Sequence, residues 1–338
     1  MRIAVDAMGG DLGPRATVEG VAHALSQLPG NSAVLHGPSH VLDAQIDALP
    51  RSLRFTRSRL QVSHADAVVH EADRPSQLLR TPEETSLHRC LMSLARDEVS
   101  AAISGGNTGA LMVLARRYIG MSAGLERPAI SCAVPTEGGG RCYLLDLGAN
   151  VDSSPEMLVQ FAHMGAAMAS VVDGMARPRV ALLNVGVESS KGAYRVRQAH
   201  VRLSAVPYRS FEYTGFVEGG GMFAGDVDVV VCDGDVGNAV LKSSEGLARM
   251  LGKRLQHRFE DGVWTRIVSF MARPALTRFH HELDPVRYNG ASFLGLAKTV
   301  VKSHGSADAR GFSFAVQRAF SEAKEQLPQR LASRLLDV

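Results

Sequence analysis

The chain has 338 residues, 45% of them hydrophobic and 21% charged, a balance that excludes a largely disordered protein. A net charge of +3 over this length is too small to make nucleic acid the main partner, and no apolar run approaches the roughly 18 residues that cross a bilayer. The start, Met1-Arg2-Ile3-Ala4-Val5-Asp6, lacks the apolar core of a signal peptide, so a cytoplasmic protein is expected.

Short apolar runs that read as buried strands alternate with helix-like stretches. In chain order they are a strand at Arg2–Val5, a helix at Thr17–Leu28, a strand at Ala33–His36, a helix at Glu83–Asp97, a strand at Ala101–Ser104 and a helix at Gly109–Ile119. Strands then follow at Ala129–Val134 and Cys142–Leu145, a helix at Pro155–Val172, strands at Arg179–Asn184 and Val227–Cys232, and a helix at Ser243–Leu255. Ser154-Pro155-Glu156 carries the signals of a helix start: a capping hydroxyl, a first-turn proline and an acid. Ser243-Ser244-Glu245 is read the same way, as lying close to another helix start. Several strands are continuously apolar, as in a sheet covered on both faces. The alternation predicts an α/β protein with three α-β-α layers around a mainly parallel sheet. No composition shift marks a boundary, so residues 1–338 are read as a single unit. The four cysteines, Cys90, Cys132, Cys142 and Cys232, include no C-x-x-C pair and are read as buried thiols rather than zinc ligands or disulfides.

Glycine carries the functional signal, because many of the 33 glycines cluster where predicted strands end. The strand Ala101–Ser104 runs into Gly105-Gly106-Asn107-Thr108-Gly109-Ala110 and then a helix. Consecutive N–H groups at the positive end of a helix suit a phosphate, a carboxylate or a developing oxyanion, although a tight turn without a ligand has the same pattern. The segment is neither a Walker loop nor a G-x-G-x-x-G dinucleotide fingerprint. Three more loops follow strands: Asp6-Ala7-Met8-Gly9-Gly10-Asp11, Asp146-Leu147-Gly148-Ala149-Asn150-Val151-Asp152 and Asp233-Gly234-Asp235-Val236-Gly237-Asn238. In an open parallel sheet such loops gather at the carboxyl edge, so all four are expected to share one anion-handling cleft. Lys191, in the loop after Arg179–Asn184, and Lys242, four residues past Asn238, are the cations expected there.

Taken together, MRIAVDAMGGD at Met1–Asp11, SGGNTGALM at Ser104–Met112, LLDLGANVDSSPEMLVQFA at Leu144–Ala162, DVDVVVCDGDVGNAVLKSSEGLAR at Asp226–Arg249 and YNGASFLGLAKTVVKSHGS at Tyr288–Ser306 resemble the bacterial phosphate acyltransferase family. The resemblance covers nearly the whole chain. It implies transfer of a fatty acyl group from the thioester of acyl carrier protein to inorganic phosphate, giving acyl phosphate for phospholipid synthesis. It also implies a fold like the isocitrate and isopropylmalate dehydrogenases, a homodimer, no metal or nucleotide cofactor, peripheral association with the inner face of the membrane, and delivery of product to a membrane glycerol-3-phosphate acyltransferase. Carried over by motif, Asp6, Gly9, Gly10 and Asp11 line one wall. Gly105, Gly106, Asn107, Thr108 and Gly109 form the anion cradle, with Asn150 and Asp152 nearby, and Lys191, Asn238, Lys242 and His304 are further site positions. Because hydrogenphosphate is already a competent nucleophile, the chemistry needs alignment and oxyanion stabilisation. Lys191 and Lys242 are expected to hold phosphate, Asn107 and the neighbouring amides to serve the carbonyl oxygen, and Asp6 or Asp11 to orient a lysine or accept a proton. The chain departs from the family's usual pattern at Leu12-Gly13-Pro14, Val187, Ser189, Asp235 and within Phe216–Gly221 and Thr81–His88.

Between about residues 247 and 281 the chain becomes a basic amphipathic arm, with seven basic residues against two acids, a local balance of +5. Trp264, the only tryptophan, recurs with Ile267 and Met271 at helical spacing. Such a stripe lies on an anionic membrane, packs at a dimer interface or in the core, or meets the acidic acyl carrier protein. Two other functions fit the same sequence: an NAD-dependent 2-hydroxyacid dehydrogenase of the same fold, or a catalytically silent scaffold for lipid enzymes.

Overall fold

The computed structural model describes residues 1–80, 84–260 and 284–336. Its strands are β1 (Arg2–Asp6), β2 (Ser32–Gly37), β3 (Leu60–His64), β4 (Ala101–Ser104), β5 (Ala129–Pro135), β6 (Arg141–Leu145), β7 (Arg179–Leu183), β8 (Glu212–Val217), β9 (Val229–Val231), β10 (Ala291–Leu294) and β11 (Thr299–Lys302). The helices are α1 (Gly13–Gln27), α2 (Ser39–Asp47), α3 (Pro75–Arg80), α4 (Ser86–Ala95), α5 (Thr108–Tyr118), α6 (Pro155–Asp173), α7 (Tyr194–Ser204), α8 (Gly221–Ala224), α9 (Gly234–Glu260), α10 (Ala309–Lys324) and α11 (Leu327–Leu336).

The strands form one 11-stranded sheet in the order β3-β2-β1-β4-β11-β10-β5-β6-β9-β7-β8. Seven of its ten pairings are parallel, as the alternating pattern predicts. Side-chain alternation explains the three layers. Ile3 and Val5 of β1 pack with Val18, Leu25, Phe312 and Phe320 of α1 and α10, while Ala4 faces Leu87, Leu91 and Leu111 of α4 and α5. In the other half, Tyr143, Leu145, Val180 and Val229 pack on Phe161, Ala162 and Met168 of α6. Ser154 accepts from the Met157 N–H at 3.3 Å and so caps α6, with Pro155 and Glu156 in the first turn as expected. All four cysteines are buried and unpaired.

The structure corrects the expected fold in two places. The pairings β11–β10, β10–β5 and β5–β6 are antiparallel, so β6, β7, β8 and β9 run opposite to β1, β2, β3, β4 and β11. The carboxyl ends of the two halves therefore lie at opposite edges of the sheet, not at one. The second correction concerns α9, which starts at Gly234, well before Ser243. Asp233 Oδ1 accepts from the Gly234 N–H at 3.0 Å, and Ser244, inside the helix, donates its hydroxyl to the Val240 carbonyl. Gly234 and Gly237 look like loop glycines, yet they serve close packing: a Cβ on Gly237 would stand 1.9 Å from the Asp146 carbonyl oxygen. Asp235, one of the departures from the family pattern, then falls in the first turn of α9, where its charge favours the helix dipole.

Among the described residues no helix is long and apolar enough to cross a membrane. Trp264, Ile267 and Met271 lie outside the described residues, as do Thr81, Pro82 and Glu83.

Two buried histidines make stability depend on pH. His36 is 1% exposed and His163 9% exposed, the latter packed edge-on against Tyr208 and Phe211. Burial pulls each down to about 4, with Arg89 adding to the effect on His36. An unfolded chain takes up these protons near pH 6.5, whereas the folded one resists until about 4. Stability is therefore full above pH 7 and falls as pH drops from 6.5 towards 4, by roughly 2 kcal/mol per histidine at pH 5. Urea unfolding at pH 7.5 and 5 checks this: His36→Leu is expected to lose about 2 kcal/mol less than the parent over that interval. An equal loss in both proteins would remove His36 as the cause.

Candidate active site

The first edge collects the ends of β1, β4 and β11. Asp6, 3% exposed, accepts hydroxyl protons from Ser86 at 2.7 Å and Ser104 at 2.6 Å, and Ser104 Oγ in turn accepts from the Gly106 N–H at 3.0 Å. Burial raises the Asp6 pKa, and these hydrogen bonds pull it back. Asp6 thus ties β1, α4 and the 105–109 loop together. Gly9 lies so close to that loop that a Cβ on it would meet the Gly106 nitrogen at 2.5 Å. Asp11 donates its N–H to the Gly305 carbonyl at 2.8 Å.

Asn107 caps α5: its Oδ1 accepts from the Ala110 N–H at 2.9 Å. Its Nδ2 donates to the Glu71 carbonyl at 2.9 Å and the Asp73 carbonyl at 3.2 Å. Both amide protons are spent inside the protein, which corrects the expectation of a free side-chain donor. The donors that remain at this helix start are the N–H groups of Thr108 and Gly109, in the turn where an α-helix leaves its amides unpaired.

Lys302 is the residue that sequence reasoning missed. It pairs in register with Ser104, and its ammonium donates to the Gly105 carbonyl at 3.0 Å and to that of Ser303. Burial brings it down to about 8, with Lys242 acting in the same direction and Glu71, Asp11 and Asp6 opposing. A lysine closing the apolar strand Thr299-Val300-Val301 was the available signal. Two residues on, the His304 N–H donates to Asn289 Oδ1 at 2.9 Å, and His304 Nε2 lies 2.5 Å from the Lys242 ammonium. Glu245 Oε2 stands 3.3 Å from that ammonium.

The second edge holds the other predicted positions. Asp146, wholly buried, accepts from the N–H groups of Ile130, Leu147, Ala149 and Asn150 and from Asn150 Nδ2. Asn150 Nδ2 also donates to the Pro128 carbonyl at 2.9 Å, while its buried Oδ1 has no partner. Arg195 spans Asp233 at 2.6 Å and Asp152 at 3.6 Å. Lys191 pairs with Glu188 at 2.8 Å in the loop after β7, with the exposed Val187 beside it. The structure therefore brings Asp6, Gly9, Gly10, Asp11, Gly105, Gly106, Asn107, Thr108, Gly109, Lys242 and His304 together at one edge. It sets Asn150, Asp152 and Lys191 at the other. Helix α9 joins the two, since Asn238 faces Gly148 of the second edge and Lys242, one turn later on the same face, reaches His304 of the first.

Residues 1–330 match the family described as fatty acid synthesis protein. Over 337 residues the chain is 49% identical to the phosphate acyltransferase of Pseudomonas putida strain KT2440, a match spanning 99% of this chain and 98% of that protein. The chain belongs to the phosphate acyltransferase family. It is also similar in fold to a phosphotransacetylase from Streptococcus pyogenes, with a TM-score of 0.61 at 18% identity, covering 96% of this chain and 94% of that one. A 4-hydroxythreonine-4-phosphate dehydrogenase from Klebsiella pneumoniae shares the fold at a TM-score of 0.50 and 15% identity, over 95% and 98% of the two chains. The dehydrogenase-like architecture implied by the motifs is thus present, while the relatives close in sequence favour acyl transfer over the dehydrogenase reading.

Proposed function

We propose that this acyltransferase moves a fatty acyl group from the thioester of acyl carrier protein onto inorganic phosphate, releasing acyl phosphate for phospholipid synthesis. The observation that carries the reading is the meeting of Lys242, His304 and Lys302 with the glycine loops at the first edge. In this reading Lys242 and Lys302 hold hydrogenphosphate, the Thr108 and Gly109 amides receive the carbonyl oxygen as charge develops on it, and Asp11 orients Lys302. Gly9, Gly10, Gly105 and Gly106 shape the cradle. Incubation with an acyl carrier protein thioester, with and without phosphate, tests this: a phosphate-dependent acyl phosphate, trapped as hydroxamate, is expected. A thioester that survives with phosphate present would overturn the reading.

The same reading makes the protein a homodimer that works against the inner face of the membrane and hands its product to a membrane glycerol-3-phosphate acyltransferase. The basic arm with Trp264, Ile267 and Met271 is its membrane contact. Sedimentation with anionic vesicles is expected to fall severalfold for Trp264→Glu, and unchanged binding would remove this role from the arm.

A further inference from the structure

The contact between α9 and the loop after β11 poses a proton problem. His304 Nε2 lies 2.5 Å from the Lys242 ammonium, a donor, and the Ser306 N–H points at His304 Nδ1 from 3.2 Å. A neutral imidazole has one proton and one lone pair, so its two nitrogens cannot both accept. Two arrangements resolve this. In one, Nε2 accepts from Lys242 and Nδ1–H donates to the Ser306 hydroxyl, 2.9 Å away. In the other, Nδ1 accepts from Ser306 and Nε2–H faces an unprotonated Lys242 amine. The two differ by one proton on Lys242 and in which ring nitrogen carries the imidazole proton, so the same geometry accepts a proton or gives one up.

We propose that Lys242 and His304 act as a proton-transfer pair that carries the proton of hydrogenphosphate to the departing carrier thiolate. This rests on the acyl-transfer reading above. In the step, a phosphate oxygen bonds to the thioester carbonyl carbon and the remaining P–OH becomes more acidic and gives its proton to the pair. Collapse of the tetrahedral intermediate then breaks the C–S bond, and the sulfur takes a proton back. Acyl phosphate and free thiol result, with the pair returned to its starting state. On the same tetrahedral carbon phosphate leaves more readily than an alkyl thiolate, so protonating the sulfur is what drives collapse forward to acyl phosphate, which gives the pair its task.

The charges facing His304 suit the role. Burial lowers its pKa and keeps the ring neutral, with Lys242, Lys302 and Arg249 in the same direction and Glu245 opposing. Glu245 Oε2, 3.8 Å from Nε2 and 3.3 Å from the ammonium, offsets the extra charge while the pair holds the transferred proton. The side chains of His304 and Lys242 are 40% and 50% exposed, so reactants can reach them.

His304→Gln, assayed in the full-length protein with two thioesters of one acyl chain, tests the proposal. With the carrier thioester its rate is expected to fall about 100-fold and to lose the wild-type pH dependence. With an arylthiol ester, whose thiolate leaves unprotonated, the rate should stay within about threefold of wild type. Lys242→Met should remove the same limb of the pH profile, and the double variant should be no slower than the slower single one, as for groups acting as a unit. Equal losses on both thioesters, or a pH profile unchanged in His304→Gln, would overturn the pair and leave the acyl-transfer reading standing. Wild-type protein that forms no acyl phosphate from the carrier thioester would overturn that reading itself, and the pair with it.

Discussion

Replacing Lys242 with methionine is expected to lower kcat/KM for acyl phosphate formation by about 100- to 1,000-fold, the size of effect seen when one preorganised donor to a developing charge is removed. Methionine keeps the length of the side chain and deletes only the charge. The ammonium it removes lies against His304 and Glu245 and contributes to lowering the Lys302 pKa. Folding should barely change. The Lys242 side chain is half exposed, and exposed ion pairs contribute at most about 1 kcal/mol. A melting temperature close to wild type together with the rate loss would mark a functional effect. A rate within about threefold of wild type would take Lys242 out of the site.

Asp146→Ala is expected to have the largest effect on stability. The carboxylate has no exposed surface and accepts from five donors: the Ile130, Leu147, Ala149 and Asn150 amides and the Asn150 side chain. Burial raises its pKa while those donors pull it back, so the group is a hub rather than a reagent. Alanine leaves several buried N–H groups unpaired at about 1–3 kcal/mol each, on the order of 5 kcal/mol or more in all, a large part of a typical domain's stability. Thermal unfolding should show a midpoint lower by roughly 10 °C or more, or no folded protein at all. A shift below about 3 °C would mean that the 146–150 turn is held by something other than this carboxylate.

The carboxylate of Asp146 was legible only as a member of a strand-end motif, and the same holds for Asp6 and Asn107. A motif shows that a polar residue stands where a strand ends. It does not show whether the side chain faces the ligand or the protein, because that depends on partners far away in the chain. Ser86 turns Asp6 inward across 80 residues, and the carbonyls of Glu71 and Asp73 take the amide protons of Asn107. Lys302 was overlooked for a related reason. A lysine at the end of an apolar strand looks like an ordinary solvated residue until burial, Glu71, Asp11 and Lys242 are seen around it. Glycine reads locally as a turn residue, which places the start of α9 too late, whereas Gly234 and Gly237 are there to admit the backbone of the 146–150 turn.

By itself the sequence determined the layered α/β class, the strands β1, β2, β4, β5, β6, β7 and β9, the glycine loops and family membership, since hydrophobic periodicity and contiguous motifs are local properties; β10 and β11, in the middle of the sheet, were not among the expected strands. Tertiary structure alone decided the polarity of the sheet. Antiparallel pairing of β10 with β5 joins strands about 160 residues apart, and no local pattern records which way a distant partner runs. That reversal separates the predicted loops into two edges and leaves α9, crossing back from one to the other, to bring Lys242 to His304.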